Sequence, residues 1–114
     1  VEVVAAGIDM FDCVLPTRHA RHGTVLTTAG RLNLRNARFA SDDSPLDPGF
    51  PASPASRWSR AYLRHLLMTD EPAGGRLLTL HNLAWLLDFV DRLRSAIDAG
   101  EFEAFRRDTL AVWS

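Results

Sequence analysis

The 114-residue chain contains no lysine: all thirteen of its basic residues are arginine, which a GC-rich genome explains as easily as a function. It has one cysteine, one tyrosine and two methionines. A lone cysteine, Cys13, closes no internal disulfide, which excludes the small secreted folds stapled by several bridges and fits a reducing compartment. No apolar run approaches the ~18 residues of a membrane span, and no signal-peptide pattern opens the chain. Internal repeats, coiled-coil heptads, a Gly-rich phosphate loop and a metal-binding carboxylate cluster are also missing. The last two absences argue against a small hydrolase built on an aspartyl nucleophile. The length suffices for one modest core and not for two.

A net charge of −1 makes the chain as a whole no obvious polyanion binder. The distribution is uneven. Residues 13–40 hold Arg18, Arg21, Arg31, Arg35 and Arg38 and no acid, whereas residues 41–114 hold eleven acids and eight arginines. A phosphate-facing patch and a merely solvated hairpin both fit that basic block.

Residues 4–15 read as a buried strand or its loop, with Ile8, Met10, Phe11, Val14 and Leu15 as apolar mass and Pro16 as its end. Thr24–Thr28 and Arg31–Arg35 are two β-like runs around Ala29-Gly30, a hairpin signal. Leu32 and Leu34 should face one side, and Arg31, Asn33 and Arg35 the other. Pro45, Pro48, Pro51 and Pro54 make residues 41–56 an irregular loop. Ser56 is the expected N-cap of a helix with Trp58, Ala61, Tyr62 and Leu66 on one face. Glu71 to Gly75 reads as a turn, Leu77–Leu80 as a short strand, and Asn82–Asp98 as a helix with the stripe Leu83, Leu86, Leu87, Val90, Leu93 and Ile97. Gly100 suits the position after its C-cap. A last helix, Glu101–Val112, should bury Phe102, Phe105 and Trp113.

The chemistry-bearing residues gather near the start. Asp12 sits toward the end of the apolar segment, just before Pro16-Thr17 and the cations Arg18 and Arg21, a suitable place for a nucleophile or base facing an anion. Asp9 lies an odd number of residues away, so in a strand it points to the opposite face, as a buried hydrogen-bonding acid rather than half of a dyad. His19 and His22 lack a third ligand nearby and read as loop polar groups.

The spelling of this region, Gly7-Ile8-Asp9-Met10-Phe11-Asp12-Cys13-Val14-Leu15-Pro16-Thr17-Arg18, then Ala20-Arg21, resembles the tRNA-guanine transglycosylases (queuine tRNA-ribosyltransferases). The resemblance continues through Leu32-Asn33-Leu34-Arg35-Asn36-Ala37-Arg38-Phe39, Pro45-Leu46-Asp47, Trp58-Ser59-Arg60-Ala61-Tyr62 and His81-Asn82. It implies that residues 1–114 are the C-terminal portion of one α/β domain, a (β/α)8 barrel of roughly 250 residues. The hairpin, Pro-rich loop and helix at 24–67 would be an insert within it, and Leu77–Asp98 a closing strand–helix unit.

The resemblance further implies that Asp12 is the nucleophile. It would attack C1′ of the ribose at the wobble guanosine, expel guanine and form a covalent ester that an incoming base displaces. Thr17, Arg18, His19, Ala20 and Arg21 match the segment that recognises the anticodon loop of tRNA. The implied base is a 7-deazaguanine, in bacteria 7-aminomethyl-7-deazaguanine, and the implied compartment is the cytoplasm. A homodimer through the insert is a partner the resemblance admits. The family's other catalytic aspartate, its general acid/base, has no counterpart here. The family also carries a structural zinc held by three cysteines and a histidine. The cysteine positions fall on Phe50, Ala52 and Ala55, leaving only His81, so no metal or other cofactor is expected. A non-catalytic RNA-binding or subunit-interaction remnant is the alternative that these lost ligands suggest.

Overall fold

The structure, a computed structural model, describes residues 23–113. Among them are one antiparallel two-stranded sheet and three α-helices. β1 (Thr24–Thr27) and β2 (Gly30–Asn33) form the expected hairpin, with Thr24 opposite Asn33 and Thr27 opposite Gly30. This register makes Thr28 and Ala29 the turn, one position earlier than the sequence suggests. Neither has a positive φ; Gly30 supplies it, at φ 111°, a conformation glycine adopts without steric cost. Thr27 braces the reversal, its hydroxyl donating to the Gly30 carbonyl at 2.6 Å and accepting from the Ala29 N–H at 3.2 Å. Leu32 and Leu34 turn inward while Arg31, Asn33 and Arg35 face solvent, as the period of two requires.

A 3-10 turn at Ala37–Phe39 follows, capped by Asn36, whose Oδ1 accepts from the Arg38 N–H at 3.0 Å. The Pro-rich loop then advances by short turns, with Phe50 N–H bonded to Asp47 O, Ser53 N–H to Phe50 O and Ser56 N–H to Ser53 O. Because Ser56 and Trp58 are still engaged in these turns, the helix starts later than expected. α1 (Arg60–Met68) is capped by Ser59, not Ser56; the Ser59 Oγ accepts from the Tyr62 N–H at 3.1 Å. Its phase shifts accordingly: Leu63, Leu66 and Leu67 are buried and Tyr62 is 46% exposed.

The largest correction concerns residues 71–82. The expected turn, the strand Leu77–Leu80 and a separate helix from Asn82 are one helix, α2 (Pro72–Asp98), about 40 Å long. A short apolar run beside glycines does not distinguish strand from helix by itself. Burial does: Leu78 is 0% exposed and Leu80 is 45% exposed, whereas a strand would put both on one face. Pro72 stands at the first helical position, where its missing N–H costs nothing. Gly74 stays in the helix because α1 passes directly over it; an added Cβ would lie 2.9 Å from Leu66 Cβ. The expected strand–helix unit is therefore absent among the described residues.

The longer helix also re-phases the buried stripe. Gly74, Leu78, His81, Asn82, Trp85, Leu93 and Ala96 face inward, whereas Leu83 and Ile97 are exposed and Leu87 is 70% exposed. α2 ends as predicted, at Gly100, with φ 72°. The Gly100 N–H bonds Ile97 O at 3.1 Å and the Glu101 N–H bonds Ala96 O at 2.7 Å, satisfying two of the last carbonyls. α3 (Phe102–Trp113) fully buries no residue. It packs on α2 through aromatic contacts, Trp113 against Trp85 at 5.4 Å and Phe105 against Phe89 at 5.5 Å between ring centres.

The core lies between hairpin, loop, α1 and the first half of α2. Val25, Leu34, Phe39, Leu46, Ala55, Leu63, Leu66, Leu67 and Leu78 form it, each large aliphatic contributing roughly 1.5–3 kcal/mol of burial. Among the described residues the architecture is a small α/β unit, and no barrel strand is seen. No described helix is long and apolar enough to cross a membrane.

Candidate functional site

Asp12 and the loop residues Thr17, Arg18, His19, Ala20 and Arg21 lie outside the described residues, as do Asp9, Cys13 and His22. The described residues begin just after that loop. Gly23, two positions after Arg21, begins the described chain, and its carbonyl accepts from the Leu34 N–H at 2.8 Å. Its φ is 83°, and an added Cβ would meet Arg35 Cγ at 2.9 Å. Gly23 thus lies directly against the Arg35 side chain.

Arg31, Arg35 and Arg38 are exposed, and none is ion-paired among the described residues. Arg64 of α1 ties down the backbone after β2, donating from Nε to Asn36 O at 3.2 Å and from Nη2 to Arg35 O at 3.4 Å. Arg38 lies over the Phe39 ring at 4.6 Å, which holds its guanidinium at the surface. Arg60, by contrast, is committed to the fold. It bonds Asp42 at 3.2 Å and Leu46 O at 3.2 Å. Hydrogen bonds from the Ser44 hydroxyl and N–H, aided by Arg60, hold the Asp42 carboxyl below its usual pKa. Exposed guanidinium groups of this kind bind phosphate or a guanine edge.

Behind the hairpin is a buried polar junction. β1 has one edge paired with β2, and its other edge is sealed by two consecutive side chains of α2. Asn82 accepts from the Leu26 N–H at 3.1 Å and donates to Thr24 O at 3.0 Å. His81, 0% exposed, donates from Nε2 to Leu26 O at 2.8 Å. A carbonyl only accepts, so Nε2 carries the proton and Nδ1 accepts from the Ser53 hydroxyl at 2.6 Å. Burial pushes the His81 pKa below the usual imidazole value, against the opposing pull of Leu26 O and the Asp47 charge. The Phe50 ring, half-buried, lies edge-on to His81 at 6.1 Å. Ala55 is in the core and Ala52 is exposed. Asp47, 3% exposed, clamps the hairpin turn by accepting from Thr28 N–H and Oγ1, both at 2.8 Å, and from Gly49 N–H at 3.0 Å. Asp47 and Asn82 had a signal, the Pro45-Leu46-Asp47 and His81-Asn82 motifs; Ser53 had none.

A cavity of about 200 Å³ opens between α2 and α3, lined by Trp85, Phe89, Phe105 and Trp113 with Arg92 and Asp108. Among the described residues the buried Trp85 Nε1 has no hydrogen-bond partner.

Comparison with known proteins bears on all of these residues together. The family model described as queuine tRNA-ribosyltransferase matches residues 1–114. A queuine tRNA-ribosyltransferase of Caulobacter vibrioides is 53% identical over 112 residues, covering 97% of this chain and 30% of that protein. Proteins of the same name from Nitratidesulfovibrio vulgaris and Symbiobacterium thermophilum are 49% and 48% identical, covering 96% and 99% of the chain but 29% and 28% of themselves. The chain thus spans about three tenths of the length of these curated relatives. With the whole chain matched, it belongs to the queuine tRNA-ribosyltransferase family.

Proposed function

We propose that the protein to which this chain belongs is a tRNA-guanine transglycosylase, a pentosyltransferase that exchanges the wobble guanine of tRNA for a 7-deazaguanine on the route to queuosine. The observation that carries this reading is the unbroken family match through Phe11-Asp12-Cys13 and on to the last residue. Asp12 is the nucleophile: its carboxylate forms a bond to C1′ as the glycosidic bond breaks and guanine leaves. The incoming base then forms the new glycosidic bond and releases Asp12. Covalent catalysis divides one difficult exchange into two displacements, and the anion also steadies an oxocarbenium-like transition state. Thr17, Arg18, His19, Ala20 and Arg21 read the anticodon loop, and the exposed Arg31, Arg35 and Arg38 extend their positive surface along the hairpin.

In this reading α2 is a helix of a (β/α)8 barrel and residues 24–67 are an insert. The stripe Leu80, Leu83, Leu87 and Ile97, exposed at 45, 39, 70 and 46%, is the side turned toward the barrel sheet. The incoming base is 7-aminomethyl-7-deazaguanine. The test is incorporation of labelled guanine into tRNA by the full-length enzyme and by its Asp12→Asn variant. Exchange is expected in the first and not in the second; equal incorporation by both would refute the assignment.

A further inference from the structure

The family's structural zinc does not fit the residues present, and that mismatch leads to a specific replacement. Zinc in a closed site takes about four sulfur or nitrogen donors. At the four corresponding positions, Phe50 and the two alanines, Ala52 and Ala55, carry no donor atom. Both ring nitrogens of His81 are already used, Nε2 on Leu26 O at 2.8 Å and Nδ1 on the Ser53 hydroxyl at 2.6 Å. No group of three His, Cys, Asp or Glu side chains able to hold a metal occurs among the described residues. A metal at His81 would have to break one of its two bonds and leave a buried partner unsatisfied.

We propose that this chain uses His81 as a metal-free strut. It joins the two parts a metal would hold, α2, which bears it, and the Pro-rich loop, through Ser53, and adds the second edge of β1, through Leu26. Ser53 extends the link within the loop, because its Oγ also accepts from the Ala55 N–H at 3.1 Å. The Phe50 ring and the buried Ala55 fill the surrounding volume with apolar contacts. The strut concerns how the insert is held, so it stands or falls independently of the role of Asp12.

The experiment has two arms on the purified, untagged full-length protein to which the chain belongs. In the first, elemental analysis after dialysis against zinc-containing buffer should find far less than one zinc per chain. The triple variant F50C/A52C/A55C, which supplies three thiolates to sit with His81, should retain about one. About one zinc held by the wild-type protein would overturn the proposal. In the second arm, EDTA should leave the melting temperature of the wild-type protein unchanged, and Ser53→Ala should lower it by roughly 2–4 °C. A melting temperature that falls with EDTA, or that ignores Ser53→Ala, would show that the strut is not what holds the insert.

Discussion

Two adjacent glycines near the start of α2 offer a test of the packing that sequence could not reveal. Alanine at either position would gain up to about 1 kcal/mol of helix propensity over glycine. At Gly75 nothing lies within 4 Å of the added Cβ, so Gly75→Ala should keep that gain. At Gly74 the Cβ would sit 2.9 Å from Leu66 Cβ and 3.1 Å from the Leu66 carbonyl carbon and the Leu67 nitrogen. These are backbone and first-carbon atoms of a buried helix face and do not swing aside. Overpacking of this kind costs roughly 1–3 kcal/mol, which equals or exceeds the propensity gain. The two variants should therefore differ by about 1–3 kcal/mol, Gly75→Ala above the wild type and Gly74→Ala at or below it. Urea unfolding followed by fluorescence of Trp58, Trp85 and Trp113 measures the difference. A Gly74→Ala chain as stable as Gly75→Ala would refute the close crossing of α1 and α2, and with it the reading of residues 72–98 as one helix.

Two further outcomes follow from the charged and titratable groups. Removing Arg18, Arg21 or Arg35 by alanine in the full-length enzyme should weaken tRNA binding and reduce the salt dependence of affinity by up to about one unit of slope each, measured by filter binding across salt concentrations; unchanged affinity and slope in all three would return this face to a merely solvated role. Because His81 has a lowered folded pKa, an unfolded chain takes up its proton first on acidification, so the stability it confers is complete above about pH 6.5 and fades as pH falls through the folded value. The urea midpoint should accordingly drop between pH 7.5 and 5, with a further loss below the usual 3.8 of Asp42, whose pKa is also lowered; a flat midpoint over the upper range would contradict the buried neutral imidazole.

The parts of the fold legible in the sequence were those with local causes. The hairpin showed itself because alternation at Leu32, Asn33, Leu34 and Arg35 is a property of neighbours, and Gly100 showed itself because a helix end needs a positive φ. The α1 start, the long α2 and its buried stripe were hidden because they depend on partners far along the chain. Gly74 belongs to a helix only because Leu66 lies against it, and Leu78 rather than Leu83 is buried because the helix begins ten residues before Asn82. The polar junction was half legible: motif residues Asp47, His81 and Asn82 stood out, but nothing local marks Ser53 as the partner of a histidine 28 residues away. Asp12 and the arginine loop rest on their resemblance to a family motif, since they lie outside the described residues.

The central claim is that Asp12 forms a covalent bond to tRNA. The most direct measurement incubates the full-length enzyme with tRNA, separates products under denaturing conditions, and digests any protein–RNA adduct for mass spectrometry of the peptide containing Phe11-Asp12-Cys13. The account predicts a ribose ester on Asp12 that disappears on adding excess incoming base and never forms in Asp12→Asn. An adduct on a different residue, or one of wild-type abundance in Asp12→Asn, would contradict it.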